Sequence, residues 1–114
     1  MNKRGEVGET AALGYLNTKG YTAAAKNYQC RFGEIDLIVT NNAYIVFVEV
    51  KSRRKGSISQ AVESIDKHKI SRIRITAQNY LMKHKTELQP RFDVIIIELF
   101  EGSATVTQHI ENAF

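Results

Sequence analysis

Residues 33–51 read Gly33-Glu34-Ile35-Asp36-Leu37-Ile38-Val39-Thr40-Asn41-Asn42-Ala43-Tyr44-Ile45-Val46-Phe47-Val48-Glu49-Val50-Lys51. Two runs rich in Ile, Val, Phe and Tyr, Glu34 to Val39 and Tyr44 to Lys51, flank a segment that holds an Asn pair, the composition of a β-hairpin and its turn. Three ionisable residues, Asp36, Glu49 and Lys51, interrupt the apolar runs. Side chains alternate faces along a strand, so Glu49 and Lys51, two apart, share one. With a two-residue turn at Asn41-Asn42, Thr40 opposes Ala43 and Asp36 opposes Phe47. Asp36 then lies diagonal to Glu49 and on its face, at a Cβ separation of roughly 7–8 Å. A one-residue slip sends Asp36 to the other face, whereas a two-residue slip keeps the face and brings Asp36 directly opposite Glu49.

Outward from the hairpin, Val7, Ala11, Ala12, Leu13, Tyr15 and Leu16 recur at helical spacing between Arg4 and Lys19, and Gly20 is placed to end that helix. Tyr21 to Asn27 is predicted as an edge strand. Ser52 to Ser59 is basic and poor in apolar residues, hence a loop. Gln60 to about Lys85 carries Val62, Ile65, Ile70, Ile73, Ala77, Tyr80 and Leu81 among polar residues, one long amphipathic helix or a short one followed by a longer one. Pro90 ends the next link, Phe92 to Leu99 reads as a buried strand, and Ala104 to Ile110 as a final one. The order α-β-β-β-α-β-β with a helical crossover predicts a central mixed sheet flanked by helices, an α/β fold. At 114 residues the chain is expected to form a single domain over 1–114.

Sixteen Lys and Arg against twelve Asp and Glu give a net charge of +4, so polyanions suit the chain as partners. The lone Cys30 excludes an intramolecular disulfide, and no CxxC or Cys/His cluster suggests zinc. The N-terminus lacks the apolar core of a secretory signal and no run reaches membrane-spanning length, so the expected location is the cytoplasm, away from membranes.

Helical geometry puts Ala12, Leu13 and Leu16 within about 60° of Glu9, in the middle of an apolar stripe. A helix packed by that stripe would bring a third carboxylate toward the hairpin, from a sheet face that the sequence leaves open. Each residue also has a structural alternative: Asp36 bonded to a loop amide, Glu49 and Lys51 as an ion-pairing edge, Glu9 as a boundary residue. Together they favour a cation, because burying carboxylates without one is expensive. Asp36 and Glu49, with the carbonyl of Val50, make an oxygen donor set for Mg²⁺ or Mn²⁺, which lowers the pKa of water and neutralises charge on a phosphodiester under attack. Lys51 would orient the attacking water or stabilise that charge, and Glu9 would complete the site.

Asp36 followed by Glu49-Val50-Lys51 on consecutive strands, after a helix with Glu9, resembles the core of the PD-(D/E)xK nuclease superfamily, which includes restriction endonucleases and archaeal Holliday-junction resolvases. The wider match is GExxA at 8–12, YL at 15–16, GY at 20–21, GEIDLI at 33–38, FVEVKSR at 47–53, AV at 61–62 and RFDV at 91–94. Together these resemble the YraN family of small bacterial proteins, along nearly the whole chain. The resemblance implies a restriction-endonuclease-like fold and a nuclease role, with metal ligands at Asp36 and Glu49, the lysine at Lys51 and the helix glutamate at Glu9. Ile35 stands where the superfamily motif has its proline. Gln60 resembles a polar residue that some members place near the metal; as a helix N-terminal residue it would face solvent.

Arg53, Arg54 and Lys55 follow the Glu-Val-Lys strand directly and Arg31 precedes the hairpin, which makes them the expected phosphate contacts. Lys67, Lys69, Arg72, Arg74, Lys83 and Lys85 read mostly as a solvated helix face. With no sequence-reading element, recognition of backbone or shape is expected, as in branched or other structured DNA. The expected activity is Mg²⁺-dependent phosphodiester hydrolysis. The alternative is a non-catalytic nucleic-acid-binding module that keeps the nuclease fold. By analogy with the resolvases, a homodimer is the expected assembly.

Overall fold

The computed structural model describes residues 3–56 and 66–114. Helix α1 spans Lys3–Thr18 and is followed by strands β1 (Thr22–Cys30), β2 (Gly33–Thr40) and β3 (Tyr44–Arg54), helix α2 (Lys67–Lys83), and strands β4 (Gln89–Phe100) and β5 (Ser103–Ile110). The five strands lie side by side in the order β1-β2-β3-β4-β5. Only β3 and β4, the pair joined through α2, run parallel; the other neighbours are antiparallel. Among the described residues the fold is the mixed α/β sheet with two flanking helices that the order of elements predicts.

Two local findings correct the sequence reading. β3 runs on through Arg54, so the first part of the expected 52–59 loop is strand, held by an eleven-residue parallel ladder against β4 that ends at Arg54↔Leu99. The hairpin turn is also longer than the Asn pair suggested. The Asn41 Oδ1 accepts the N–H groups of Ala43 (2.9 Å) and Tyr44 (2.7 Å), and the Asn41 N–H donates to the Tyr44 carbonyl at 3.0 Å. That side-chain turn occupies residues 41–44 and makes Thr40↔Ile45 the first pair. The register is thus the two-residue slip, and continuing it past Leu37↔Val48 carries Asp36 across to Glu49.

α1 ends by the expected glycine. Gly20 has φ +91°, the Tyr21 N–H reaches the Leu16 carbonyl (3.0 Å), and the Gly20 N–H reaches that of Asn17 (3.1 Å). This double closure caps the helix and seats Leu16 and Tyr21 together in the core. Gly14, mid-helix and exposed, has no atom within 4 Å of where a Cβ would stand. Gly14→Ala should therefore stabilise the fold by about 0.5–1 kcal/mol through backbone entropy, read as a higher urea midpoint at unchanged slope.

The helices cover opposite faces of the sheet. α1 packs Ala12 and Leu16 on Leu37, Val39, Val46 and Val48, while α2 packs Ile73, Ala77 and Tyr80 on Ile38, Ile45 and Phe47. Parity along β3 therefore assigns Glu49 and Lys51 to the α2 face. Ile35 joins the α2-side cluster with Ile38, so the alternation in β2 breaks where its ladder with β3 stops. α2 begins at Asp66, whose side chain accepts the Lys69 N–H at 2.9 Å as an N-cap. The earlier part of the predicted 60–85 helical region, including Gln60, lies outside the described residues. Among the described residues no helix is long and apolar enough to cross a membrane.

Candidate active site

β2 and β3 separate beyond Leu37↔Val48, and Asp36 sits at that fork. Its carboxylate takes the Val50 N–H at 2.8 Å, replacing the ladder bond that the departing strand no longer supplies. A strand residue points its N–H and C=O toward the same edge, so the Val50 carbonyl faces the fork as well. Glu49 comes from the middle of β3 and is 6 % exposed. Asp36 and Glu49 share the floor of a cavity of about 470 Å³ walled by Arg31 from the β1–β2 turn, by Glu34 at the start of β2 and by Lys69 and Arg72 from α2.

The close approach of α2 to this turn depends on Gly33. Its φ is +154°, and a Cβ there would stand 3.3 Å from the Thr76 Oγ1 and 3.7 Å from the Arg72 Cβ. A side chain there would crowd the Thr76 hydroxyl on α2 and take up a φ that L residues rarely adopt.

Burial, a hydrogen bond shared with Glu49 and the charge of Glu49 push the Asp36 carboxyl up to about 8, against the Val50 N–H, which favours the anion. Glu9 adds a smaller push. The sign for stability follows from proton linkage. From about pH 4 to about pH 8 the unfolded chain has released this proton and the folded chain holds it, so folding weakens as pH rises through that window. Asp36→Asn removes the slope. Urea midpoints in chelator should fall from pH 5 to pH 8 in the wild type more than in the variant, whose relative stability peaks at the alkaline end.

Lys51 lies on the same face as Glu49. Burial and the adjacent ammonium of Lys69 lower its pKa, while Glu49 and Asp36 pull the other way. Lys69, read from the sequence as part of a solvated helix face, instead puts its Nζ 2.5 Å from the Glu49 Oε2. The approach is off the direction of a hydrogen bond, and Oε2 is buried without one. Nothing in the local sequence marks Lys69; its reach depends on where α2 starts and how it crosses β3.

Glu9 approaches from the other face of the sheet. α1 lies close on β3 at Gly8, where a Cβ would be 2.5 Å from the Ser52 Oγ. Burial raises the Glu9 pKa, Asn27 lowers it through a hydrogen bond, and the charges of Glu34 and Glu49 raise it further. Its hydrogen bond thus goes to Asn27 on β1, and it meets the fork through charge. Of the expected phosphate contacts, Arg31 lines the cavity with its guanidinium 5.0 Å from the Phe32 ring. Arg53 follows Lys51 on the same face of β3 by parity. Arg54 and Lys55 line a separate cavity at the end of β3, with the Lys55 Nζ 4.7 Å from the Phe100 ring.

The donor set suits a hard divalent cation: two carboxylates and a carbonyl, all oxygen, with one carboxylate oxygen buried and short of a hydrogen bond. Among the described residues no three Asp, Glu, His or Cys side chains group closely enough to hold a metal alone. Substrate oxygens or water would have to complete the shell, which is the usual habit of Mg²⁺.

A second polar cluster, which the sequence reading passed over, lies under α1. Arg91 grips Asp93 with two hydrogen bonds (Nε to Oδ1 2.9 Å, Nη2 to Oδ2 2.8 Å) and donates to the Tyr21 hydroxyl at 2.6 Å. Asp93 also meets the His109 Nε2 at 2.7 Å and accepts the Asn112 N–H at 3.1 Å. The Tyr15 hydroxyl meets the His109 Nδ1 at 3.0 Å. An aspartate inside the apolar run FDVIIIEL was the available signal.

Comparison with known proteins agrees with the motifs. The description of uncharacterised protein family UPF0102 matches residues 8–97. A UPF0102 protein of Alkaliphilus oremlandii is 42% identical over 118 residues, covering all of both chains. One of Pelotomaculum thermopropionicum is 45% identical over 113 residues, 96% of this chain and 93% of the relative. One of Caldanaerobacter subterraneus is 42% identical over 119 residues, all of this chain and 98% of the relative. The family match reaches from Gly8 on α1 to Ile97 on β4, and the chain belongs to the uncharacterised protein family UPF0102, the YraN family that its motifs resemble.

Proposed function

We propose that the protein is a Mg²⁺-dependent nuclease acting on structured or branched DNA. The observation that carries this reading is the fork itself: Asp36 and Glu49 meet where β2 leaves β3, beside the Val50 backbone, in a cavity with basic walls. Asp36, Glu49 and the Val50 carbonyl would hold the ion, which when bound supplies Lewis acidity toward water and the scissile phosphate. To hold the ion, Asp36 would give up the proton that burial and crowding with Glu49 make it keep. Lys51, held toward its neutral form by burial and Lys69, orients the attacking water and can accept its proton. Arg31 and Arg72 bind backbone phosphates from opposite walls, an affinity that depends on salt and not on base sequence. The test is incubation of purified protein with branched and linear DNA in Mg²⁺ or Mn²⁺ beside Asp36→Ala and Glu49→Ala.

One observation favours a second reading, a non-catalytic nucleic-acid-binding module. Lys69 already supplies Glu49 with a positive partner, so the carboxylates are tolerated without a metal. This reading expects salt-dependent DNA binding and no cleavage with either ion.

A further inference from the structure

Lys69 touches the metal-ligand candidate Glu49 and neighbours Lys51, yet neither motif nor spacing gives it a task. Its partner is fixed while it is not. The Glu49 side chain is 7 % exposed in mid-strand, whereas that of Lys69 is 33 % exposed on the first turn of α2, free to swing its head into the cleft while its stem stays packed. The contact is ionic without a directional hydrogen bond, since the Glu49 Oε2 lacks one. Lys51 stands next to Lys69; burial and that neighbour hold Lys51 toward its neutral form, whereas Glu49 favours the charged form of Lys69. Among the described residues, the ion pair with Glu49 is the one charged contact that holds Lys69 over the carboxylates.

We infer that Lys69 is an exchangeable counter-ion, which neutralises Glu49 in the metal-free protein and transfers to a backbone phosphate of the nucleic acid once a divalent cation compensates the carboxylates. The inference rests on the metal-dependent reading of the site. With Asp36 protonated and Glu49 paired with Lys69 the metal-free floor is near neutral; with a dication bound it becomes positive, which loosens Lys69 and attracts a phosphodiester. Arg72, three residues along α2, and Arg31 on the opposite wall line the same cavity. A phosphate entering there meets the released Lys69 beside donors already in position. The exchange makes phosphate binding conditional on metal loading.

The test measures Mn²⁺ binding from the spin-resonance signal of the free ion, on wild type, Lys69→Met, Lys69→Gln and Glu49→Gln, each checked for native circular dichroism. Both Lys69 variants should bind Mn²⁺ about fivefold to tenfold more tightly than wild type, because no ammonium has to be displaced. Glu49→Gln should lose binding. A labelled branched DNA with phosphorothioate linkages, titrated over a range of salt with and without Mn²⁺, gives the second readout. Metal should steepen the salt dependence of wild type by about one phosphate contact and leave that of the Lys69 variants unchanged. Equal or weaker Mn²⁺ binding in both Lys69 variants overturns the inference alone, as does a metal-induced steepening that survives the substitutions. Absence of Mn²⁺ binding in wild type and Lys69 variants alike overturns the metal-dependent reading and the inference with it.

Discussion

Asp36→Ala and Glu49→Ala are each expected to slow cleavage of branched DNA in saturating Mg²⁺ by at least about a thousandfold while leaving the fold intact. Each removes one of two side-chain oxygen ligands from a cation whose charge stabilisation is worth several kcal/mol, and every 1.36 kcal/mol is about tenfold in rate. The fold should tolerate both changes. Asp36 stands where the β2–β3 ladder has ended, and its loss frees one backbone N–H at a fork that opens on the cavity. Loss of Glu49 leaves Lys69, whose side chain is 33 % exposed and finds water. Mg²⁺ should raise the thermal midpoint of the wild type and of neither variant, since only a ligand bound by the native state shifts it. Equal cleavage by all three proteins would identify a contaminating nuclease and sink the reading. Cleavage lost together with the circular dichroism signal would assign Asp36 and Glu49 to folding instead.

The parts of this site that were legible in the sequence are those governed by strand parity. Asp36, Glu49 and Lys51 share a face under the two-residue turn and under a two-residue slip, and lose it under a one-residue slip, so the shared face could be read even though the turn was read too short. The direct partner of Asp36 could not, because it depends on the Asn41 side chain building a longer turn, and an Asn pair suits both lengths. Glu9 was legible as an inward residue and not as to its sheet face, since an apolar stripe carries no mark of which side it will cover. Lys69 was not legible at all. Its reach to Glu49 follows from the Asp66 cap and from the close packing that Gly33 permits, two non-local conditions. Asp93 announced itself as Asp36 did, by a charge in an apolar strand. Its partners come from β4, β5 and the segment after β5, and no local pattern assembles those.

Asp93→Ala should be the most damaging single substitution for stability, costing about 3–5 kcal/mol, because it strands a buried guanidinium. Asp93 is fully buried and Arg91 is 9 % exposed. Burial would raise the Asp93 pKa, but the bonds from His109, Arg91 and the Asn112 N–H outweigh it and hold the carboxyl below its ordinary range. The bonds to Asp93 and to Tyr21 push the Arg91 guanidinium above its own ordinary value. A depressed carboxyl contributes stability at neutral pH that is lost as pH falls below the usual carboxylate range, so acid should unfold the wild type partly through this group. The variant lacks that contribution, and its stability should depend less on pH in the acid limb. A domain of this kind has about 5–15 kcal/mol in all, so the loss should be visible as partial unfolding at 37 °C. Arg91→Met in the Asp93→Ala background should recover part of the loss, since an apolar pair no longer strands a charge, although the tie to Tyr21 goes with it. Urea unfolding of wild type, both single variants and the double, at pH 3 and pH 7, measures the coupling and its loss in acid. A cost below about 1 kcal/mol for Asp93→Ala, or a double variant as unstable as the sum of the singles, would mean that the cluster is bystander polarity and that the apolar contacts of α1 alone hold β4 and β5 in place.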